Sequence, residues 1–219
     1  MTDEQRSIRT YVSDMLALER HVHVPFETQT KSRDVAKFSQ AEALVRRLEA
    51  TSQQHVDELD DLLEELGGHT ASPAKSAVTQ FEGAIASAID SVRKTKVSKD
   101  LRDDYTALAL CAAGYTMLHA TATALGESSV AEVAEDHLRD YAQLIVEIGQ
   151  ALPGVVIAEL GEIGLSVDPV MAEPARRAVE HAWRGANAGT ESVLRGTIES
   201  ERTPAPAASQ RRLPEDSVE

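Results

Sequence analysis

Two short stretches of this chain carry the same order of groups. His55 is followed three residues later by Glu58, and His137 is followed three residues later by Asp140. Residues three apart share a helix face, so each stretch can present an imidazole nitrogen and a carboxylate oxygen to one ion. That pairing suits iron, manganese or zinc. Both imidazoles fall where the hydrophobic pattern asks for an apolar side chain. Phe38, Ala41, Val45, Leu48, Ser52, His55, Leu59, Leu62 and Leu66 recur at steps of three and four, as do Val130, Val133, His137, Tyr141, Leu144 and Ile148. Glu19 flanks a third stripe, four residues after Met15 and three before Val22, and can lean toward the same interior. His119 and His137 stand equally far from position 128, so an antiparallel hairpin turning at residues 126–129 sets them near one level. Asp136 adds a carboxylate beside His137. The alternative is structural. A seam histidine often serves as a hydrogen-bonded core residue, and acids such as Glu58, Asp136 and Asp140 often only solvate an exposed face.

The elements that would position these groups are all helical. A first helix over roughly residues 4–30 repeats Ile8, Tyr11, Met15, Leu18, Val22 and Phe26, with Pro25 able to kink its last turns. The second ends at Gly67 and Gly68. Ser72 and Pro73 open a connecting helix carrying Val78, Phe81, Ile85, Ile89 and Val92. A further helix begins near Ser98 and stops at Gly126. Ser129 with Glu132 then forms the pattern of a capping box for the next. Leu152, Pro153 and Gly154 end the regular pattern, and Asp168 with Pro169 caps an amphipathic helix to about Glu199. The sequence therefore predicts an all-α fold, an antiparallel four-helix bundle with a connecting helix and an extra C-terminal helix. Its divisions are a bundle over 1–152, a helical extension over 153–200 and a disordered tail over 201–219.

Composition narrows the function classes. The 219 residues hold 22 Lys and Arg against 36 Asp and Glu, a formal net charge of -14, which argues against a nucleic-acid surface. No uninterrupted apolar run of membrane-spanning length occurs, and the first residues lack the apolar centre of a signal peptide, so a cytoplasmic protein with no membrane partner is expected. The single cysteine, Cys111, excludes an intrachain disulfide framework. No Gly-rich phosphate loop or nucleophile elbow is present.

Several stretches between about residues 11 and 150 carry a family resemblance. YVSDMLALERHV, QQHVDELDDLLEELG, AGYTMLHATATALGES and AEDHLRDYAQL, in that order, resemble the YciE/YciF group of ferritin-like, stress-associated proteins. The resemblance implies functional positions at Glu19, His55, Glu58, Tyr115, Glu135, Asp136 and Asp140, and it implies a homodimer. One departure stands out. The family carries glutamates on the third bundle helix just before the tyrosine, where this chain has Leu108 and Cys111. That loss implies a degenerate, mononuclear or remodelled site, with Cys111 or His119 as the groups left to substitute.

Two functions follow as expectations. In the first, Glu19, His55, Glu58, His119, Asp136, His137 and Asp140 supply a site for iron or manganese that consumes oxygen or peroxide under stress. In the second, the bundle has lost its metal and acts as a non-catalytic stress or scaffold protein through a partner of its C-terminal helix or tail.

Overall fold

The computed structural model describes residues 2–68 and 97–185. The connecting helix expected after Ser72, the last part of the C-terminal helix and the tail lie outside the described residues. Four long helices dominate: α1 (Asp3–Thr30), α2 (Ser39–Glu65), α3 (Val97–Leu125) and α4 (Ser128–Glu162). Shorter 3-10 turns lie at Val35–Lys37 and Pro169–Met171, and residues 172–180 continue as helix to 185. Among the described residues there is no strand. The chain divides into two compact units, Met1–Arg177 and Ala178–Glu219, and the four long helices belong to the first.

Cross-helix bonds give the directions. Arg9 reaches the carbonyl of Gly67, and Arg20 reaches Asp60, so α1 and α2 are antiparallel. Ser98 bonds Glu159 and Tyr115 faces His137, so α3 and α4 are antiparallel as well. Gln29 meets Asp104 while Glu19 meets Tyr115, and Arg47 meets Glu147 while Glu58 meets His137. Thus α1 opposes α3 and α2 opposes α4. Helices α2 and α3 consequently run the same way, which requires a long connection between them, residues 69–96.

Periodic burial explains why these segments are helices. The α2 positions Ala41, Val45, Leu48, Ser52, His55, Leu59 and Leu62 are all buried, as the three-and-four spacing predicts. Burial on α1 follows Ile8, Val12, Met15, Leu18, Glu19, Val22 and Phe26, and on α3 Leu101, Leu108, Cys111, Tyr115, Leu118 and Ala122. By length and composition α3 and α4 are apolar enough to cross a membrane. In this fold their buried stripes line a core shared with α1 and α2. Fully burying each Leu or Ile contributes about 1.5–3 kcal/mol, far more than helix propensity does. Helices α1 and α3 approach closely at Gly114, where an added Cβ would lie 2.5 Å from the Met15 sulfur.

Both boundaries of α4 differ from expectation. Helix α1 opens with a capping box between Thr2 and Gln5, whereas the box expected at Ser129 and Glu132 does not form. Gly126, at φ 76°, turns the chain so early that the helix starts at Ser128 and Ser129 falls inside it. Helix α4 also does not stop at Leu152. It continues through Pro153 to Glu162 because Ala151, Val155 and Glu159 keep its buried face going, so the boundary drawn at 152/153 cuts one continuous helix. Packing of that face outweighs the backbone hydrogen bond that a proline removes, a cost of roughly 3 kcal/mol.

Candidate metal centre

At mid-height the apolar core is interrupted by one polar cluster. Glu19 of α1 is fully buried, and so are Ser52 and His55 of α2, Tyr115 of α3 and Tyr141 of α4, with His137 of α4 only 1% exposed. The helical period is what delivers them. Ser52 and His55 occupy successive seam positions of α2, and His137 and Tyr141 do the same on α4, so each helix turns two polar groups inward at one level.

The Glu19 carboxylate is the hub. Its Oε1 accepts a hydrogen bond from the Tyr115 hydroxyl at 2.6 Å. Its Oε2 accepts from the Tyr141 hydroxyl and, at 3.3 Å, from Ser52 Oγ. The imidazoles of His55 and His137 stack face to face, with centroids 3.7 Å apart and planes 12° from parallel. Each ring is held from outside by a carboxylate of the other helix. His137 Nε2 lies 2.7 Å from Glu58 of α2, and His55 Nε2 lies 3.3 Å from Asp140 of α4. The intrahelical pairs expected from the His-x-x-acid spacing are thus exchanged across the α2–α4 interface. Glu58 and Asp140 are about half exposed, at 41% and 49%, so they reach inward from the rim.

Those carboxylates decide which ring nitrogens face inward as acceptors. An ionised carboxylate only accepts hydrogen bonds, so each Nε2 carries the proton and each Nδ1 of a neutral ring is left with a lone pair. His137 Nδ1 faces the Tyr115 hydroxyl at 3.0 Å. That hydroxyl has one proton for two acceptors, Glu19 Oε1 and His137 Nδ1. His55 Nδ1 has no hydrogen-bond partner and faces Glu19 Oε1 at 3.5 Å. With the His55 ring neutral, a buried lone pair points at the buried Glu19 carboxylate.

For His137 the local electrostatics favour the neutral ring. Burial lowers the His137 pKa, and the adjacent His55 lowers it further, against the pull of Glu58. Burial also opposes ionisation of Glu58, but hydrogen bonds from Gln54 and His137 outweigh it and leave that carboxyl below its ordinary value. Burial first, and then the Glu19 charge, push both the Tyr115 and Tyr141 hydroxyls well above the ordinary phenol range. The same two causes raise the Cys111 thiol.

Of the residues expected at a site, Glu19, His55, Glu58, His137 and Asp140 come together, and Tyr115 joins them. Asp136 does not: it is exposed and pairs with Arg139 at 2.5 Å, as Glu135 does at 2.9 Å. His119 is half-buried on α3, and the α3 group that reaches the imidazoles is Tyr115, one turn earlier. Cys111 is buried and free. Tyr141 and Ser52 were legible only as seam residues, although each is a polar group at a core position. Among the described residues no three His, Cys, Asp or Glu side chains converge as a ligand set. What converges instead is one carboxylate, two imidazoles and two phenols. Bundles that hold two metal ions place a glutamate three residues before each ligand histidine. Here those positions are Ser52 and Ala134, both buried.

No family model and no curated protein matches the chain. Solved structures do. The XCC3681 protein of Xanthomonas campestris pv. campestris aligns with a TM-score of 0.60 and 17% identity, over 75% of this chain and 100% of its own. Antigen TpF1 of Treponema pallidum aligns with a TM-score of 0.55 and 14% identity, over 69% and 95% respectively. At these identities the likeness is one of fold.

Proposed function

We propose that this chain is a ferritin-like bundle protein that binds iron or manganese between α1, α2 and α4, in the cytoplasm and in the setting of a stress response. The ferritin-like assignment is supported by topology: two antiparallel hairpins whose middle helices run parallel need a single long crossover, as in ferritin-like bundles. The metal reading rests on one observation, the unpartnered Nδ1 of His55 held 3.5 Å from Glu19 Oε1. A buried acceptor without a partner costs about 1–3 kcal/mol, and the Glu19 carboxylate, though it accepts three hydrogen bonds, keeps an unneutralised charge whose burial is costly. A cation bound by both atoms removes both costs.

The residues divide the work. Glu19 and His55 supply the inner donors, and His137 stacks against the His55 ring. Glu58 and Asp140 accept hydrogen bonds from the Nε2–H groups and so hold both rings with Nδ1 inward, the usual role of a carboxylate behind a ligand histidine. Tyr141 and Ser52 fix the Glu19 carboxylate, and the surrounding leucines keep bulk water out. When bound, iron or manganese would supply Lewis acidity and one-electron chemistry toward oxygen or peroxide.

Metal content of untagged protein, measured by plasma mass spectrometry after incubation with ferrous or manganous ion and desalting, tests the reading. The expected result is about one ion per chain, lost when His55→Ala and His137→Ala are combined. Wild-type protein without bound metal in both incubations would overturn it. The absence of glutamate at Ser52 and Ala134 favours the second reading, a metal-free homodimeric scaffold that works through a protein partner of its C-terminal segment. Partner capture with and without residues 186–219 would test that.

A further inference from the structure

We infer that Asp104 carries a proton on Oδ2 and donates it to Gln29 Oε1, closing an acid–amide ring that latches the first helical hairpin to the second. The ground is a pair of buried atoms without partners. Gln29, in the last turn of α1, donates through Nε2 to Asp104 Oδ1 of α3 at 2.7 Å. The other atom of each group, Gln29 Oε1 and Asp104 Oδ2, is buried with no hydrogen-bond partner. Asp104 is only 3% exposed, so bulk water does not solvate it. With the carboxyl ionised, both leftover oxygens are acceptors and neither can satisfy the other. One proton on Oδ2 turns it into a donor. A carboxylic acid and a primary amide already joined by an N–H···O bond can close an O–H···O bond on their remaining atoms. All four polar atoms are then satisfied, with no buried charge.

The surroundings favour a proton over any other neutralising charge. Burial raises the Asp104 carboxyl to about 7 against the Gln29 bond, and the charges of Asp100 and Asp103 on the same helix add to the rise. Asp100 is itself pushed up to about 6, by burial first and then by Asp103, by Glu159 of α4 and by Asp34. The bases at this end are taken: Lys37 pairs with Asp34 and Arg102 with Asp103. Among the described residues no three acids, imidazoles or thiols converge to hold a metal ion. Gln29 lies at the end of α1 and Asp104 near the start of α3, so the ring ties the two hairpins at that end, as the bond from Tyr115 to Glu19 ties them at mid-height. Loss of the proton breaks the O–H···O bond and leaves a buried anion. This end of the bundle is thus a pH-sensitive joint, closed in acid and loosened as Asp104 ionises, whatever the central cluster binds.

Nuclear magnetic resonance of isotope-labelled full-length protein tests the latch. The Asp104 carboxyl carbon and the Gln29 side-chain amide are followed through a pH titration, and backbone amide exchange is measured in the last turn of α1 and around Asp104. Both side-chain signals should move together, with one shared midpoint at about 7. Protection, corrected for intrinsic exchange, should fall by up to about tenfold per pH unit between about pH 4 and 7 and level off above, because the opened chain ionises first. Asp104→Asn replaces the O–H with a permanent N–H donor, and should lose most of that slope. Asp100→Asn removes a like charge, and should lower the shared midpoint. Circular dichroism confirms that each variant is folded, and the wild-type titration decides the question alone if one is not. An Asp104 midpoint in the ordinary carboxylate range overturns the inference, since the ring requires a proton where the carboxyl would then be ionised. So does a raised midpoint that the Gln29 amide does not follow, which would place the proton away from Oε1. Protection that stays flat across the range overturns the latch as well.

Discussion

Glu19→Gln is the most informative single change, because the metal reading predicts that it stabilises the metal-free protein. In the wild type, His55 Nδ1 has no partner, and the Tyr115 proton is contested by Glu19 Oε1 and His137 Nδ1. A glutamine with its amide nitrogen in place of Oε1 resolves both conflicts. The amide donates toward His55 Nδ1, 3.5 Å from the present oxygen, and toward the Tyr115 oxygen, 2.6 Å away. Tyr115 is then free to donate to His137, while Tyr141 and Ser52 continue to donate to the remaining oxygen. Relief of one unsatisfied buried acceptor is worth about 1–3 kcal/mol, less some charge assistance lost at the tyrosine bonds. For a unit of this size each kcal/mol moves the melting temperature by about 2–4 °C, so a rise of about 2–6 °C is expected in chelator-treated protein. Saturating metal at 100 times its Kd should raise wild-type stability by about 2.7 kcal/mol, and the variant should show none of that gain. The assay is calorimetry of wild type and variant, each with chelator and with metal. A variant that melts several degrees below the wild type in chelator would refute the reasoning, since it would show Glu19 to be a satisfied core carboxylate that needs no cation.

Other consequences are quicker to check. Glu58→Gln and Asp140→Asn should each weaken metal affinity by about 10–100-fold without eliminating binding, as read by competition with a chromogenic chelator, because they orient the rings and do not hold the ion. Asp104, buried and bonded through one oxygen to Gln29, has its carboxyl pushed up to about 7 by burial and by the nearby Asp100 and Asp103. Its folded-state pKa exceeds the ordinary 3.8, so the native state holds the extra proton between those values and stability must fall as pH rises from 3.8 to about 7. Denaturant titrations across that range should show the fall, and Asp104→Asn should remove its part of it. The Cys111 thiol, fully buried and pushed up by burial and by Glu19, should resist alkylation in the native protein by a factor of at least about 100 relative to unfolded chain, scored by mass shift.

Much of the architecture was legible because helical periodicity is local. The seam of α2 from Ala41 to Leu62 reads off the spacing, and every position on it is buried. The inward placement of His55 and His137 came from the same count. Glycine stops at Gly67 and Gly126 were equally readable, since both adopt the positive φ that other residues avoid. Local signals misled where packing intervened: Pro153 looked like an end, yet Val155 and Glu159 carry the buried face past it. The Ser129 box matched a motif, but one turn geometry upstream placed the helix start elsewhere.

By itself, then, the sequence determined which residues face inward on each helix, because that depends only on 3.6 residues per turn within one segment. Which inward groups meet was decided by tertiary structure alone. His55 and Glu58 share a face, but the register of α2 against α4 hands Glu58 to His137 and Asp140 to His55. Likewise only the packing of α1 against antiparallel α3 and parallel α4 puts two tyrosines from distant segments on one glutamate. Such contacts depend on axial offset and rotation between helices, quantities set by the whole packed core and written in no single stretch of chain.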